Sequence, residues 1–351
     1  MPVIDPDDLA LSDVPRPRVA APVVSIIVVS YNTAALTEAC LASVKAETAH
    51  LAHEIIVVDN GSTDDSVALI ARTAPDARLI ALDENIGFAA ANNLAAQDAR
   101  GEYILLLNPD TVVLDNAIGR LVSFARCCPD AEIWGGRTLF GDGALNPLSC
   151  HGRMSLWTLF CRASGLTGLF KRSALFNSEA YGGWTRDTIR RVDIVSGCFL
   201  LIRRALWHEL SGFDTRFFMY GDDADLCLRA RRLGAAPLVM PEAEIVHYGG
   251  ASETVRADKL VRLLAAKSTL ISRHFETRHR RLAHVLLAGW PLSRMVALSL
   301  LALARRTPAS IQAAAVWREV WIRRSEWFDG YDRRAPSARG LGAADAAPRT
   351  G

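Results

Sequence analysis

Short runs of Val, Ile and Leu that alternate with segments of helical character constrain the fold of this chain more than any other feature. The first two runs, Val23 to Val29 and Glu54 to Val58, are rich in β-branched residues, as is typical of strands buried on both faces of a parallel sheet. Further strands are predicted at 78–81 and 103–107, and helices at 35–46, 64–73 and 88–99. This alternation predicts an α/β fold of βαβ units that binds its ligand at the carboxyl ends of the strands.

Composition divides the chain into four regions. Residues 1–22 are rich in Pro and Asp, and residues 331–351 in Ala, Arg, Gly and Pro, so both are predicted to be disordered tails. Residues 23–250 carry the alternating pattern and are predicted to form the main domain, with halves at 23–115 and 116–250. Residues 251–330 are predicted to be a helical C-terminal region.

Charge and cysteine content exclude several classes of protein. The 40 basic and 38 acidic residues nearly cancel, which gives no support for a nucleic-acid partner. The 7 cysteines are irregularly spaced, as is typical of reduced thiols. The N-terminus lacks the basic start and apolar core of a signal peptide. Together these features predict a cytoplasmic protein.

Polar residues follow the first predicted strand in the order Ser30, Tyr31, Asn32, Thr33. A dinucleotide-binding protein would have G-x-G-x-x-G here, and an NTPase a glycine-rich loop that ends in Lys; neither motif is present. An aromatic ring among polar groups suits a base and a ribose. Asn32 and Thr33 are better explained as the N-cap of the next helix.

Asp59 ends the second predicted strand, directly after apolar residues. The turn that follows explains Gly61 and Ser62, because Gly permits a positive φ and Ser caps a helix. It does not explain Asp59, since a charge beside a sheet is costly to desolvate unless a ligand or a donor meets it. An acceptor here suits the imide N–H or the ribose hydroxyl of a nucleoside.

Asp110 ends the fourth predicted strand, within the turn-like sequence Asn108-Pro109-Asp110-Thr111. Nucleotide diphosphates are usually bound with Mg²⁺ or Mn²⁺, which take carboxylate and phosphate oxygens as ligands. His247 ends a further predicted strand. A lone His is more often structural than a ligand, but beside Asp110 an imidazole suits an ion such as Mn²⁺.

The densest group of acids, Asp222, Asp223 and Asp225, opens a helix that is predicted to run to about Leu233. Acids in a first turn are favoured by the helix dipole, and Asp225 with Arg229 fits an ordinary i, i+4 pair that contributes little stability. A cap requires only one acid, however. Adjacent carboxylates beside aromatic residues raise one another's pKa, which suits a general base near neutral pH.

Several segments of the chain, taken together, resemble the family 2 glycosyltransferases with the GT-A fold, particularly the bacterial rhamnosyltransferase-like branch that builds cell-surface polysaccharides. In order they are SIIVVSYNT, EIIVVDNGSTDDS, NIGFAAANN, GEYILLLNPDT, VSGCFLLIRRALWHELSGFDTRFFMYGDDADLCLR and IVHYGG. Each segment alone is a weak signal, but their common order from about Ser25 to Gly250 is specific. The resemblance implies a Rossmann-like mixed sheet flanked by helices, with a helical C-terminal extension.

The resemblance also implies roles for individual residues. The donor-binding residues that it implies are Ser30, Tyr31, Asp59, Asn60, Asn85, Gly87, Asn92 and Asn108. Asp110 is similar to the metal-binding acid of the family's D-x-D element, in which Asn108 here replaces the first acid, and His247 resembles a contact to the metal or the diphosphate. Asp223 corresponds to the catalytic base. Asp222 stands where the family usually has Glu, which leaves open its role beside the base.

The implied reaction is inverting transfer of a sugar from a nucleotide-diphosphate donor to the hydroxyl of a glycan or a lipid-linked glycan, with Mn²⁺ or Mg²⁺. The implied donor is dTDP-rhamnose, and a UDP-sugar is the alternative. A nucleotidyltransferase would carry a glycine-rich loop with a basic residue after the first strand. A nucleotide-sugar-binding protein without activity would not require Asp110, Asp223 and His247.

The C-terminal region has two interpretations. Leu282 to Ala304 is very apolar, but Pro291 and Arg294 interrupt it short of the ~20 residues that cross a bilayer. A basic and aromatic segment follows and suits lipid headgroups; its residues are Arg305, Arg306, Arg318, Arg323, Arg324, Trp317, Trp321, Trp327 and Phe328. One interpretation is therefore peripheral contact with the inner face of the plasma membrane, which the lipid-linked acceptors of the branch favour. The other is a helical subdomain packed on the catalytic domain.

Overall fold

The computed structural model describes residues 21–249 and 256–331; most of both predicted tails and the predicted boundary at residue 250 lie outside these ranges. The strands are β1 (Val24–Ser30), β2 (His53–Asp59), β3 (Arg78–Ala81), β4 (Tyr103–Leu107), β5 (Thr111–Val113), β6 (Ile133–Leu139), β7 (Leu145–Asn146), β8 (Cys150–His151), β9 (Arg190–Arg191), β10 (Ile194–Val195), β11 (Phe199–Arg203) and β12 (Leu238–His247). The helices are α1 (Ala34–Glu47), α2 (Ser66–Thr73), α3 (Phe88–Gln97), α4 (Ala117–Cys127), α5 (Leu156–Ser164), α6 (Leu166–Leu169), α7 (Arg204–Glu209), α8 (Asp222–Arg232), α9 (Arg256–His274), α10 (Thr277–Arg305) and α11 (Pro308–Ile322).

A mixed sheet forms the centre of the molecule. Within the described residues it has 10 strands, and its main path has the order β3-β2-β1-β4-β11-β6-β12-β5. The first four strands of this path are parallel, while β11 runs antiparallel to both of its neighbours. The register sets Ser30 opposite Asp59, so the carboxyl ends of β1 and β2 reach the same edge of the sheet. The predicted α/β fold is confirmed, and β3 and β4 have the predicted bounds.

The parallel strands are apolar because helices cover both faces of the sheet. All residues of β1 are buried; Ile27 packs in the cluster on the side of α3 and α8, while Ile26 and Val28 pack on the side of α1 and α4. Full burial of one such side chain contributes about 1.5–3 kcal/mol, so alternate residues of one strand stabilise two separate layers.

The second half of the sheet positions His247. The sequence predicted only the strand that ends there, β12, which pairs with β6 and with the short strand β5. The β12–β5 register sets His247 opposite Thr111, the neighbour of Asp110. A short antiparallel pairing therefore joins the two predicted metal contacts across a long stretch of sequence.

The C-terminal helices α9, α10 and α11 pack on one another and on α5 around a third apolar cluster. Trp327 is fully buried in this cluster and donates its indole N–H to the Val320 carbonyl at 3.0 Å. Trp317 and Trp321 pack partly against it, and Arg323 pairs with acids of the same layer. The predicted headgroup contact is therefore wrong for Trp327, which is fully buried, while the half-buried Trp317, Trp321 and Arg323 contribute to packing of the helical layer.

Helix α10 is 29 residues long and continues through Pro291, one of the two residues that were predicted to interrupt its apolar stretch. A proline removes one backbone hydrogen bond, and here the ring and the neighbouring Trp290 are buried. Among the described residues α10 alone is long and apolar enough to cross a membrane by length and composition, and only 17% of its most apolar 18-residue stretch is buried.

Candidate active site

A cleft of about 1510 Å³ opens at the carboxyl ends of the parallel strands. Its floor is formed by the residues that follow β1, β2 and β4, and its other walls by the start of α8, the segment from β8 to α5, and α9. The cleft brings together most of the predicted site: Tyr31, Asn60, Asn85, Gly87, Asn108, Asp110, Asp222, Asp223 and His247 all line it.

The predicted nucleoside wall is held in shape by two asparagines. The amide of Asn60 donates to the Asn85 carbonyl oxygen at 3.0 Å and accepts from the backbone N–H of Ile86 at 3.0 Å. Gly87 donates its N–H to the same Asn85 oxygen and has φ +89°, where a Cβ would lie 2.9 Å from the ring of Phe218. Only glycine fits this turn, which explains the spacing of Asn85 and Gly87.

Ser30, Asp59 and Asn92 lie behind this wall rather than on the cleft surface. Ser30 is bonded to Thr37 at 2.9 Å, and the Asn92 amide donates to the Phe88 carbonyl at 2.9 Å. Both therefore support the loops, and the direct donor contact implied by the resemblance is not available to them in these positions. Asp59 accepts the N–H of Ser62 with Oδ1, but its buried Oδ2 has no hydrogen-bond partner among the described residues.

Asp110 and His247 meet at the end of β4. The imidazole Nε2 lies 3.3 Å from the Asp110 carboxylate and 3.4 Å from the Asn108 amide. Burial works to lower the pKa of His247, but the Asp110 carboxylate and the Cys198 side chain outweigh it and raise the pKa to about 10. The buried Nδ1 of His247 has no partner among the described residues.

The Asp110–His247 pair fits an ion that also binds the diphosphate. No group of three or more His, Cys, Asp or Glu side chains in the described part of the chain is arranged to hold a metal ion by itself. Mn²⁺ and Mg²⁺ in nucleotide sites take most ligands from phosphate and water, so a carboxylate and an imidazole suffice from the protein. A metal competes with the proton on His247, and a protonated imidazole suits the diphosphate directly.

Asp222 and Asp223 differ although they are adjacent in α8. Asp223 accepts the N–H of Gly197 at 3.1 Å on one oxygen and the N–H of Ala224 at 2.7 Å on the other. Asp222 is buried, and its Oδ2 has no partner among the described residues. Burial and then the neighbouring Asp223 raise the pKa of Asp222 to about 8. The carboxyl with the raised pKa is therefore the neighbour of the predicted base.

One loop joins the predicted base, Asp223, to the turn that carries Asp110. Gly197 donates to Asp223, and the next residue, Cys198, accepts the backbone N–H of Asn108 at 3.1 Å. The turn that carries Asp110 and the Asp223 carboxylate are thus fixed to the same two residues. Sequence reasoning did not identify this loop, because its contribution is made by backbone atoms.

Asp225 corrects an expectation from the sequence. The predicted pair with Arg229 is present at 2.6 Å, but Asp225 is 0% exposed and also bonds Arg273 at 3.1 Å and His274 at 2.8 Å. It is the buried centre of a cluster that fastens α8 to α9, and not an ordinary surface pair. Breaking such a pair leaves buried charges unpaired and costs about 3–5 kcal/mol.

The far side of the cleft contains a polar cluster that the sequence did not indicate. Glu179 pairs with Arg162 at 3.1 Å and with Lys267 of α9. Burial works to raise the pKa of Glu179, but Lys267 and Arg162 outweigh it and lower the pKa to about 2. Burial lowers the pKa of the adjacent His151, against the effects of Asp223 and Glu179. No spacing links these residues, so only the fold assembles them.

Comparisons with known proteins identify several relatives of this chain. N-acetylglucosaminyl-diphospho-decaprenol L-rhamnosyltransferase of Mycobacterium tuberculosis is 28% identical over 244 residues, 64% of this chain and 76% of the relative. Rhamnosyltransferase WbbL of Escherichia coli is 28% identical over 235 residues, 64% of this chain and 83% of the relative. Succinoglycan biosynthesis protein ExoO of Rhizobium meliloti is 28% identical over 276 residues, 74% of this chain and 73% of the relative.

A solved structure and a family model complete the comparison. Mannosyltransferase PcManGT from Pyrobaculum calidifontis, in complex with GDP-Man and Mn²⁺, matches with a TM-score of 0.55 at 18% identity and covers 88% of each chain. This likeness shows the GT-A fold. The model of glycosyl transferase family 2 matches residues 25–208, more than half of the chain. The chain therefore belongs to glycosyl transferase family 2.

Proposed function

We propose that this glycosyltransferase moves rhamnose from dTDP-rhamnose, with inversion, to a hydroxyl of a lipid-linked glycan. Its relatives include rhamnosyltransferases and proteins of succinoglycan biosynthesis, which supports a place in the synthesis of a cell-surface polysaccharide. The name of the mycobacterial relative describes an acceptor built on a diphospho-decaprenol. A UDP-sugar is the second candidate for the donor.

The position of Asp223 carries this proposal. Its carboxylate lines the cleft, and two backbone N–H groups fix its direction. The Gly197–Cys198 loop that supplies one of them also holds the turn of Asp110, where the donor diphosphate is expected. If the sugar binds between the diphosphate at Asp110 and the Asp223 carboxylate, the base would face the anomeric carbon from the side opposite the leaving group, as inversion requires.

Asp223 then takes the proton of the acceptor hydroxyl as its oxygen bonds to the anomeric carbon. The bond from that carbon to the diphosphate oxygen breaks, and the nucleoside diphosphate leaves with the electron pair. Asp222, whose pKa is raised to about 8 by burial and by Asp223, holds a proton near neutral pH and so adds no second negative charge beside the base.

Asp110 and His247 would hold the divalent ion, with the remaining ligands from the diphosphate and water. When bound, Mn²⁺ or Mg²⁺ offsets the negative charge of the diphosphate. Tyr31, Asn60 and Asn85 would line the nucleoside, and Asp59 would support the turn behind them through the N–H of Ser62.

The cluster on the far side suits the acceptor. Arg162 and Lys267 present cations to the same cleft as Asp223, and Glu179 sets their positions. Cations beside a hydroxyl-binding cleft suit a glycan that carries phosphate, as a lipid-linked acceptor does. We propose a cytoplasmic enzyme that meets this acceptor at the inner face of the plasma membrane.

A donor panel tests the proposal. The full-length protein is incubated with dTDP-rhamnose, UDP-sugars and GDP-mannose, each with Mn²⁺, with Mg²⁺ or with a chelator, and released nucleoside diphosphate and thermal stabilisation are measured. The proposal expects the largest release and stabilisation with dTDP-rhamnose and metal. Release from a UDP-sugar and not from dTDP-rhamnose would show that the donor is the UDP-sugar.

The panel also separates the catalytically silent alternative. Stabilisation by a donor without diphosphate release, in the presence of a lipid-linked acceptor, would identify a nucleotide-sugar-binding protein. Asp223→Asn serves as the control, because release that persists in this variant does not come from the proposed site.

A further inference from the structure

Helix α10 carries an apolar stripe on its outer face. The exposed residues of the stripe are Leu282, Val285, Leu292, Val296, Leu300 and Leu303. Their spacings of three, four and seven place them on one side of a helix, over a length of about 32 Å. The opposite side, with Leu287 and Trp290, is buried against the other helices. A water-exposed stripe of this size marks an interaction surface.

A second apolar surface lies beside the stripe, on α5, α6 and the residues that follow. Its exposed residues are Trp157, Phe160, Leu169, Phe170 and Leu175, and Leu169 is 75% exposed. α5 packs directly on α10: Gly289 stands seven residues from both Leu282 and Val296, on the side of the stripe, and a Cβ there would lie 3.2 Å from Ala163 of α5. The two surfaces are therefore neighbours. We call them together the docking face.

The charge of these segments has one sign. The chain has 38 acidic residues, yet none lies between Asp142 and Glu179 or between Glu276 and Glu319. The cations of these segments include exposed Lys171, Arg172, Arg281, Arg305 and Arg306. Apolar side chains bordered by cations, without acids, complement a surface that is apolar inside and anionic outside.

We propose that the docking face lies flat on an anionic lipid bilayer, with α10 in the plane of the interface. This inference deepens the membrane contact in the proposed function and does not depend on the donor. Three residues of α5 and α6 also line the cleft: Trp157, Arg162 and Thr167. The acceptor side of the cleft would therefore open next to the lipid. A lipid-linked acceptor would then reach Asp223 with its chain still in the membrane.

Two other occupants fit less well. A second copy would set one acid-free, cationic face against another, and like charges oppose such a contact. A membrane-spanning α10 would have to leave α5, α9 and α11 and would carry Arg294 near its middle, which is costly in a bilayer.

Vesicle sedimentation of the full-length protein tests the inference. The probes are phosphatidylcholine vesicles with and without phosphatidylglycerol. The test variant carries Leu300→Glu with Leu303→Glu; the matched control carries Val67→Glu with Leu233→Glu, which adds the same charge at exposed apolar positions off the docking face. We expect the test variant to lose roughly tenfold or more of its partition onto the anionic vesicles, and the control to keep the parent value.

Two further measurements make the result specific: vesicle binding of a variant that lacks two cations, and quenching of tryptophan emission by lipid. Arg305→Gln with Arg306→Gln should lower partition onto anionic vesicles by roughly fivefold for each arginine, without changing partition onto neutral vesicles. Brominated lipid should quench tryptophan emission of the parent, and Trp157→Phe should remove part of that quenching. The quenching measurement requires no substitution in α10. It therefore tests the membrane contact even if the glutamate variant does not fold.

Equal partition of the test and control variants would overturn the proposal. So would a vesicle-free dimer that only the test variant dissociates, which would assign the docking face to a second copy. Transfer to a short, water-soluble acceptor should be unchanged in the test variant. Failure of transfer in every variant, with vesicle binding intact, would refute the proposed function and leave the docking face in place.

Discussion

The donor half and the acceptor side of the cleft are built in different ways. In the donor half, Tyr31, Asn60 and Asp110 each stand within three residues of the end of a parallel strand. On the acceptor side, His151, Glu179 and Lys267 come from a short strand, a turn and a C-terminal helix that are distant in sequence. The first arrangement follows from the strand order, and the second exists only once the helices have packed.

This difference shows which parts of the cleft depend on local sequence motifs and which depend on long-range packing. A parallel sheet brings its strand ends to one edge, so local motifs suffice to place a nucleotide. The acceptor side depends on long-range contacts such as the Asp225 cluster between α8 and α9. Damage to either region should therefore have distinct consequences: loss of donor affinity on one side, and loss of turnover or stability on the other.

The largest expected effect separates the two sides at Asp223. Asp223→Asn keeps the shape of the side chain but cannot take a proton, so we expect transfer to fall by roughly 10²–10⁴-fold. Donor affinity should stay near that of the parent, because the donor half is unchanged. Single-turnover transfer and calorimetric titration of the donor measure the two quantities. Near-parental transfer at saturating donor and acceptor would move the base elsewhere.

The next effect concerns how the acceptor side is held together. Asp225→Asn removes the charge at the centre of a buried cluster, and we expect the free energy of unfolding to fall by about 3 kcal/mol. Asp98→Asn is the matched control, since it breaks an exposed pair with Arg78 that contributes at most about 1 kcal/mol. Denaturant unfolding compares the two variants. Equal losses would show that the Asp225 cluster is no stronger than a surface pair.

The sequence predicted the donor half well for a physical reason. Strands buried on both faces require runs of Val, Ile and Leu, and βαβ units require helices between them, so β1 to β4 and the turns after them were readable. The resemblance added a role for Asp223, and the cleft brings Asp223 together with Asp110 and His247 as that resemblance implied. The implied roles of these residues remain predictions.

The other features could not be predicted from the sequence, because they depend on which side of each helix is covered by the rest of the protein. Asn92 follows the donor motif in sequence, but it lies on the inner side of α3 and bonds Phe88. Trp327 in a basic segment resembled a headgroup contact, yet it is buried by α9 and α11. The helical pattern of α10 showed an apolar helix without showing that only 17% of its most apolar 18-residue stretch is buried.

A smaller effect is expected where the donor meets the ion. Asp110→Ala and His247→Ala should each weaken binding of a nucleoside diphosphate in Mn²⁺ by roughly 10–100-fold, and should change metal-free binding less. His53→Ala is the control, because that imidazole bonds the Leu51 carbonyl at the start of β2. Titrations with and without Mn²⁺ give the ratio. If both variants keep the metal dependence of the parent, Asp110 is only a turn residue and His247 only a structural histidine.

The last prediction concerns Asp222, the buried carboxyl beside Asp223. In the unfolded chain an Asp carboxyl has a pKa of ~3.9, whereas burial and Asp223 raise the pKa of Asp222 in the folded protein to about 8. The stability that Asp222 contributes is therefore fully present below pH ~4 and is lost as the pH rises through about 8.

Asp222→Asn carries no titrating group, so its free energy of unfolding should rise relative to that of the parent between pH 5 and pH 8. We expect the difference to grow by at least about 1 kcal/mol over this interval, since each unit of pKa difference corresponds to about 1.4 kcal/mol. Urea unfolding at several pH values measures it, with Asp98→Asn as the exposed control. Parallel pH curves for Asp222→Asn and the parent would mean that Asp222 does not hold the proton of the Asp222–Asp223 pair in the folded protein. Asp223, the proposed base, would then carry part of that proton.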